Sequence, residues 1–266
     1  FVKSKIEEYR PDAVVNFYEM VTGVAFRTYR FDKKLNVQLI SIAHQYMLLN
    51  PKYKTTSEQD IKYYFLRMIT KVTCQCSSKI LALSFRDMPG SIEKNLVVVP
   101  PLLRQEVFEN EPSDGDYIHG YMINTGYYEE VLDWHTKNPH IPLRFFWDKK
   151  DADEVTVIDE NLILYRIDDD FFLKSMAGSM AYSTTSGFES VCEALYYKKP
   201  ILMIPVHVEQ EFNAYDASLS GAGISSTKFK LNKLLNFIPH YRPDENFRDW
   251  VHQAEERFIR EICGTN

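Results

Sequence analysis

Two short segments in the second half of this 266-residue chain hold most of the side chains with chemistry to offer. The first runs Met180-Ala181-Tyr182-Ser183-Thr184-Thr185-Ser186-Gly187 into Phe188-Glu189-Ser190-Val191-Cys192-Glu193-Ala194-Leu195. It reads as a short apolar strand, a turn of small residues and a helix. Small residues let a ligand come close to the backbone. The helix start adds unpaired N–H groups and the positive end of the dipole. Such a turn suits an anion, and a diphosphate in particular. The hydroxyls of Thr184, Thr185 and Ser186 would donate to phosphate oxygens. The same residue types also make an ordinary helix cap, and the turn alone does not separate the two readings.

Glu193 follows Gly187 by six residues, in the second turn of the helix. A carboxylate there accepts hydrogen bonds from both hydroxyls of a ribose whose phosphates sit at the helix start. Glu189, one turn earlier, suits the dipole without any function. It would repel a diphosphate and is expected to point away. In the second segment, residues 200–205 read as a strand closing on Pro205. Val206-His207-Val208-Glu209-Gln210-Glu211-Phe212-Asn213 then enters a helix. An acid and an amide at Glu209 and Gln210 would read sugar hydroxyls, with Asn213 facing back across the helix start. The plainer alternative is that they merely begin a helix.

Elsewhere, His44 follows a strand and stands at its carboxyl end, placed to orient an acceptor or to serve as general base. Its alternative is a loop histidine with no role. Glu19 is a similar candidate. His119 falls inside a strand and reads as a buried, satisfied residue. Asp168-Asp169-Asp170 reads as helix cap and dipole complement rather than a metal site. No set of His, Cys, Asp and Glu has metal-ligand spacing.

These residues need elements to position them. Apolar runs at 13–17, 37–42, 80–85 and 96–99 read as strands. A helix between the second and third opens at Thr56 and Gln59 in capping-box spacing. It carries Ile61, Phe65, Met68, Ile69 and Val72 at helical period. Pro100-Pro101 and the polar stretch 109–116 mark a boundary. A second series has strands at 117–123, 143–147, 161–165, 180–183 and 201–204. Helices alternate with them at 127–137, 169–177, 188–197, 210–220 and 230–237. Strands separated by single helices predict parallel sheets wrapped on both faces, hence an α/β protein. In such sheets ligands bind beyond the carboxyl ends of the strands, where the 184–187 turn lies. The last helix, 244–262, puts Phe247, Trp250, Val251, Ala254, Phe258 and Ile259 on one stripe. The chain opens on a helix with no strand before it, so the first domain is expected to be incomplete, with several tens of residues preceding Phe1 in the natural protein.

Composition narrows the classes. An apolar fraction of 45% and a charged fraction of 26% support buried cores and argue against disorder. A net charge of -6 argues against nucleic acid as a partner. No apolar run approaches the ~20 residues of a membrane span, and no secretory signal is visible. The four cysteines, Cys74, Cys76, Cys192 and Cys263, form no C-x-x-C pair and read as reduced thiols of a cytoplasmic protein.

Each piece alone is common; their order and spacing are not. The small-residue turn, Glu193, Lys199-Pro200, Pro205, Glu209-Gln210, Asn213-Ala214 and Gly221-Ala222-Gly223 resemble the C-terminal donor-binding domain of the UDP-glycosyltransferases. They are similar also to the N-acetylglucosaminyltransferase of peptidoglycan synthesis. The match covers residues 168–223, and Pro100-Pro101-Leu102-Leu103-Arg104 resembles the interdomain linker. The whole is more similar to uncharacterised bacterial and archaeal glycosyltransferase-like proteins than to the plant enzymes.

The resemblance implies the B-type fold of two Rossmann-like domains. The expected parts are a partial acceptor-side domain at 1–101, a donor-binding domain at 102–246 and a helix at 247–266 packing back on the first. By position, the Thr184–Gly187 turn, with Thr185, Ser186 and Gly187 foremost, would hold the diphosphate. Glu193 would hold the ribose, Glu209 and Gln210 the donor sugar, and Asn213 the loop. The implied activity is sugar transfer from a nucleotide diphosphate sugar, a UDP-sugar, to an acceptor hydroxyl. It would be inverting and need neither metal nor other cofactor. The implied partners are that donor and a glycan, lipid-linked or small-molecule acceptor, for a cytoplasmic protein at most peripheral to the inner membrane face. Two departures stand out. Relatives carry a His and a Gly-Gly pair in the turn, and a Gly where Lys199 stands. The rival readings are a nucleotide-sugar 2-epimerase and a non-catalytic sugar-nucleotide-binding module. The epimerases have paired glycines followed by Gln-Glu-Glu, unlike Ser186-Gly187-Phe188-Glu189-Ser190.

Overall fold

Two sheets form, one in each of two units of the chain. The computed structural model describes residues 1–29, 37–53, 61–122, 125–149 and 151–264. The first unit takes Phe1–Leu102 and Trp250–Asn266, and the second takes Leu103–Asp249. The later boundary therefore falls after Asp249 rather than after residue 246.

In the first unit β1 (Ala13–Asn16), β2 (Gln38–Ala43), β3 (Lys79–Leu83) and β4 (Leu96–Val99) pair in chain order, all parallel. Parallel neighbours need crossover connections. Here α2 (Met20–Tyr29) joins β1 to β2, and α3 (Ile61–Thr73) lies between β2 and β3. Before β1 stands α1 (Val2–Tyr9). The capping pair Thr56 and Gln59 lies outside the described residues.

The apolar stripe of α3 is not its buried face. Ile61, Phe65, Met68 and Ile69 are 69%, 49%, 45% and 44% exposed, while Tyr63, Leu66, Thr70 and Thr73 turn inward. The inward face is the one whose polar groups find partners. The Tyr18 and Thr70 hydroxyls lie 2.8 Å apart, the Tyr46 hydroxyl donates to Thr73 Oγ1 at 3.2 Å, and Asn16 Nδ2 donates to the Thr73 carbonyl at 2.9 Å. It is also the face that α2 approaches: a Cβ on Gly23 would stand 2.4 Å from the Val72 carbonyl oxygen. The buried hydroxyls of this face are thus paired, as burial demands.

The second unit opens with α4 (Gln105–Glu109). Its sheet then takes β5 (Ile118–Met122), β6 (Leu143–Trp147), β7 (Val155–Val157), β8 (Leu162–Arg166), β9 (Ala181–Thr184), β10 (Ile201–Met203) and β11 (Gly223–Ser225). The order is β11-β10-β9-β5-β6-β8-β7, parallel except for β7 at the edge. The helices are α5 (Tyr128–Lys137), α6 (Asp169–Ala177), α7 (Phe188–Tyr196), α8 (Val208–Leu219) and α9 (Leu231–Phe237). Leading outward from β5 to β6 and β8, the chain then returns to the other side of β5 to lay down β9. The carboxyl ends of β5 and β9 therefore flank a topological switch point, the crevice where open α/β sheets bind ligands. Ile118, Phe145, Leu162, Leu164, Ala181 and Leu202 belong to the buried core around these strands.

His119, in β5, is fully buried among Phe146, Phe172 and Tyr182. Its Nδ1 lies 3.1 Å from Ser175 Oγ, and Nε2 has no partner among the described residues. Burial pushes its pKa down to about 3, so the ring is neutral.

The single C-terminal helix read from the sequence is two: α10 (Asn246–His252) and α11 (Ala254–Cys263). Phe247 falls in the second unit. Within the first unit, Phe258 packs with Ile40, Ile42, Leu81 and Val99, and Trp250 Nε1 donates to the Ser84 carbonyl at 2.9 Å. All four cysteines are free thiols. Among the described residues no helix is long and apolar enough to cross a membrane.

Candidate functional site

The turn after β9 is built by the sheet. Thr184 ends β9 with Tyr121 of β5 on one side and Met203 of β10 on the other. Thr184, Thr185 and Ser186 are buried, at 0%, 1% and 0% exposure. Their side chains therefore lie beneath the solvent-facing surface of the turn. Flanking strands enclose Thr184, and Asn213 Nδ2, from α8, donates to the Ser186 carbonyl at 3.2 Å and holds the turn inward. Ser186 stands in the left-handed region, with φ 65°, a conformation that costs a non-glycine residue of order 1 kcal/mol. The outward face belongs to Gly187, the exposed N-cap of α7, and no side chain caps that helix. Backbone N–H groups at a helix start such as that of α7 are suited to an anion.

Beside α7 lies a cavity of about 220 Å³, lined by Arg104, Tyr121, Ile167, Asp169, Glu189 and Glu193 among others. Glu193 is 3% exposed. Its Oε1 accepts from Arg104 Nε at 2.9 Å and lies 2.8 Å from Arg104 Nη2 in an ion pair. Arg104 Nη1 reaches Asp169 Oδ1 at 3.1 Å. Burial lifts the Glu193 carboxyl to about 7, against the pull of Arg104. At Arg104 burial works the other way, but Glu193 and Asp169 outweigh it and raise its pKa. Glu189 lines the same cavity instead of pointing away, because residues four apart share one face of a helix.

Gln210 is buried and its Oε1 accepts from the Val206 N–H at 2.8 Å, closing its own loop. Glu209 is half-buried in the first turn of α8. His44 belongs to the first unit. It is 2% exposed, with Nδ1 2.8 Å from the Leu83 carbonyl oxygen and its ring edge-on to Phe85. Asp168 caps α6, its Oδ1 accepting from the Phe171 N–H at 3.0 Å. Among the described residues no three His, Cys, Asp or Glu side chains gather as a metal site. Sequence reasoning placed Arg104 in a linker. The signal available was a lone cation directly after an apolar Pro-Pro-Leu-Leu run.

A family described as Glycosyl transferase family 1 matches residues 1–241. No curated protein matches the chain. Among solved structures, the glycotransferase of kitacinnamycin aligns at TM-score 0.65 and 15% identity, covering 98% of this chain and 78% of that one. Phytolacca americana UGT2, complexed with UDP-2fluoro-glucose and pterostilbene, aligns at 0.62 and 12%, covering 99% and 79%. Arabidopsis thaliana UGT89C1, complexed with UDP-L-rhamnose, aligns at 0.57 and 13%, covering 95% and 71%. At such identities the likeness to solved structures is one of fold. The family match, which spans most of the chain, and the two Rossmann-like sheets agree: this chain belongs to glycosyl transferase family 1 and is a glycosyltransferase of the B-type fold.

Proposed function

We propose that the second unit binds a UDP-sugar, with the diphosphate on Gly187 and the first N–H groups of α7 and the ribose on Glu193. The observation that carries this reading is a buried carboxylate lining a cavity beside an uncapped helix start at the sheet's switch point. Six helical residues rise about 9 Å, which sets Glu193 apart from the helix start that would take the diphosphate. The UDP and UDP-sugar complexes of similarly folded plant enzymes support uridine as the nucleoside. Glu209 and Gln210 are assigned to the donor sugar, Asn213 to the turn, and His44 to the acceptor. Transfer is inverting: the acceptor oxygen attacks the anomeric carbon and the diphosphate leaves toward the α7 N-terminus. That fixed dipole stabilises the developing charge without reorganising.

Gly187 provides the direct test. Its φ of -64° suits any residue, and an added Cβ would meet nothing closer than Ser190 Oγ at 3.6 Å. The fold therefore does not need glycine here, whereas a close-lying diphosphate does. Gly187→Ala is expected to leave the melting temperature within about 2 °C. It is expected to weaken UDP binding by about tenfold or more, read by calorimetry. Unchanged affinity would remove the diphosphate from this turn.

With a helix dipole in the place of a cation, transfer is also expected to survive chelation. Product formation in EDTA is expected to stay within about twofold of that in Mg²⁺, since among the described residues no three His, Cys, Asp or Glu side chains gather as a metal site. A strict Mg²⁺ or Mn²⁺ requirement would overturn this part of the reading.

A further inference from the structure

One guanidinium joins three elements that line the cavity. Arg104, the residue before α4, binds Asp169 at the start of α6 and Glu193 in the second turn of α7. Its hydrogen bond and its ion-pair contact with Glu193 both fall on one oxygen, Oε1. Oε2 takes no hydrogen bond from a described residue. We propose that Arg104 is a positioning residue of the donor pocket, tying down one oxygen of Glu193 and keeping the carboxylate charged, so that the other oxygen meets the ribose diol. This rests on the ribose assignment made above and deepens it.

The chemistry follows from what a carboxyl group becomes when protonated. An ionised carboxylate accepts bonds from both hydroxyls of a vicinal diol, whereas a carboxylic acid spends one oxygen as a donor. Glu193 is poorly placed to stay ionised by itself. Its side chain is 4% exposed. The acids Glu189 of α7 and Asp169 of α6 work against its charge, and Tyr121, Tyr182, Cys192 and Tyr197 around it are neutral at physiological pH. Arg104 is the cation that opposes them. A guanidinium is suited to this task because it stays charged and its fork fixes the angle of the group it holds. Asp169 anchors the far side of the fork, so the guanidinium is held from two directions.

The experiment is a pH series of nucleotide affinity on the full chain, by calorimetry from pH 6 to 9.5. Wild type, Arg104→Met and Arg104→Lys are each compared with UDP and with its 2′,3′-dideoxy analogue, which shares the base and phosphates but lacks the diol. Wild-type affinity for UDP is expected to be level above about pH 8 and to fall below about pH 7. In Arg104→Met the fall is expected to begin at least one pH unit higher, with binding at pH 7 weaker by about tenfold and recovered to within about threefold at pH 9. Arg104→Lys, which keeps the charge and loses the fork, is expected to fall between. The analogue is expected to show no such shift in any variant. A loss in Arg104→Met that is equal at every pH, or the same shift with the dideoxy analogue, would overturn the proposal. Glu193→Gln separates the two layers. If it binds UDP as wild type does, the ribose assignment itself is wrong. If it loses the preference for UDP over the analogue while Arg104→Met keeps the wild-type pH profile, only the role of Arg104 falls.

Discussion

Glu193→Gln is expected to stabilise the protein above pH 7 while it weakens the binding of UDP. The first effect follows from proton linkage. Burial raises the Glu193 pKa from 4.5 to about 7, with the attraction of Arg104 opposing it. A carboxyl whose folded pKa lies above its unfolded one binds more protons in the folded state between those two values. Stability is then lost as pH rises from about 4.5 to about 7, and the loss is complete above that window. A shift of about 2.5 units corresponds to about 3 kcal/mol, an upper bound on the gain, at about 1.36 kcal/mol per unit. Glutamine keeps the shape and removes the charge. Arg104 is left with Asp169 and partial exposure, so its unpaired charge costs little. A rise in melting temperature at pH 8 that disappears at pH 5 is the expected signature. At the same time, affinity for UDP is expected to drop by about 10- to 100-fold, the loss of charge-assisted bonds to the diol. Opposite signs for stability and binding mark a residue held against its own stability for a ligand. A lower melting temperature at pH 8 together with unchanged UDP affinity would make Glu193 a structural residue.

Lys199→Met is expected to produce the reverse pattern, a large loss of stability with donor affinity intact in the folded protein. Lys199 is 2% exposed, and its ammonium donates to the carbonyls of Ser113 and Ser179, both at 2.7 Å. Burial lowers its pKa, against the pull of Asp114. The two bonds tie the end of α7 to the segment before β5 and to the approach to β9, all within the second unit. Methionine fills similar volume but leaves two carbonyls without a donor, at about 1–3 kcal/mol each. A loss of about 2–6 kcal/mol lowers the melting temperature by roughly 5–20 °C for a unit of this size. Thermal melts compared with calorimetry below the transition would check it. Loss of UDP affinity at full folding would show that Lys199 belongs to the site. The structure also accounts for a lysine where relatives have glycine. The left-handed residue at this helix end is Lys198, with φ 58°, so Lys199 is free to send its side chain inward.

Features written within about twenty residues of chain were legible before any folding. The strand β6 and helix α6 stand at the residues read for them, because period-2 and 3.6 patterns, caps and turn residues act between near neighbours. The β9–turn–α7 unit was legible for the same reason, and so was Glu193 at its spacing from Gly187. The edge strands β7 and β11 were not, since three residues each carry no periodicity. Tertiary structure decided the rest. It set which face of α3 is buried, and that face is not the apolar stripe. It buried Thr184, Thr185 and Ser186 beneath the strands and α8 and left Gly187 exposed. It brought Arg104 to Glu193 across 89 residues, and Lys199 to Ser113 across 86. A charge does not announce its partner in the chain. Only closure of the sheet brings those backbone positions together, and burial then makes the pairing matter.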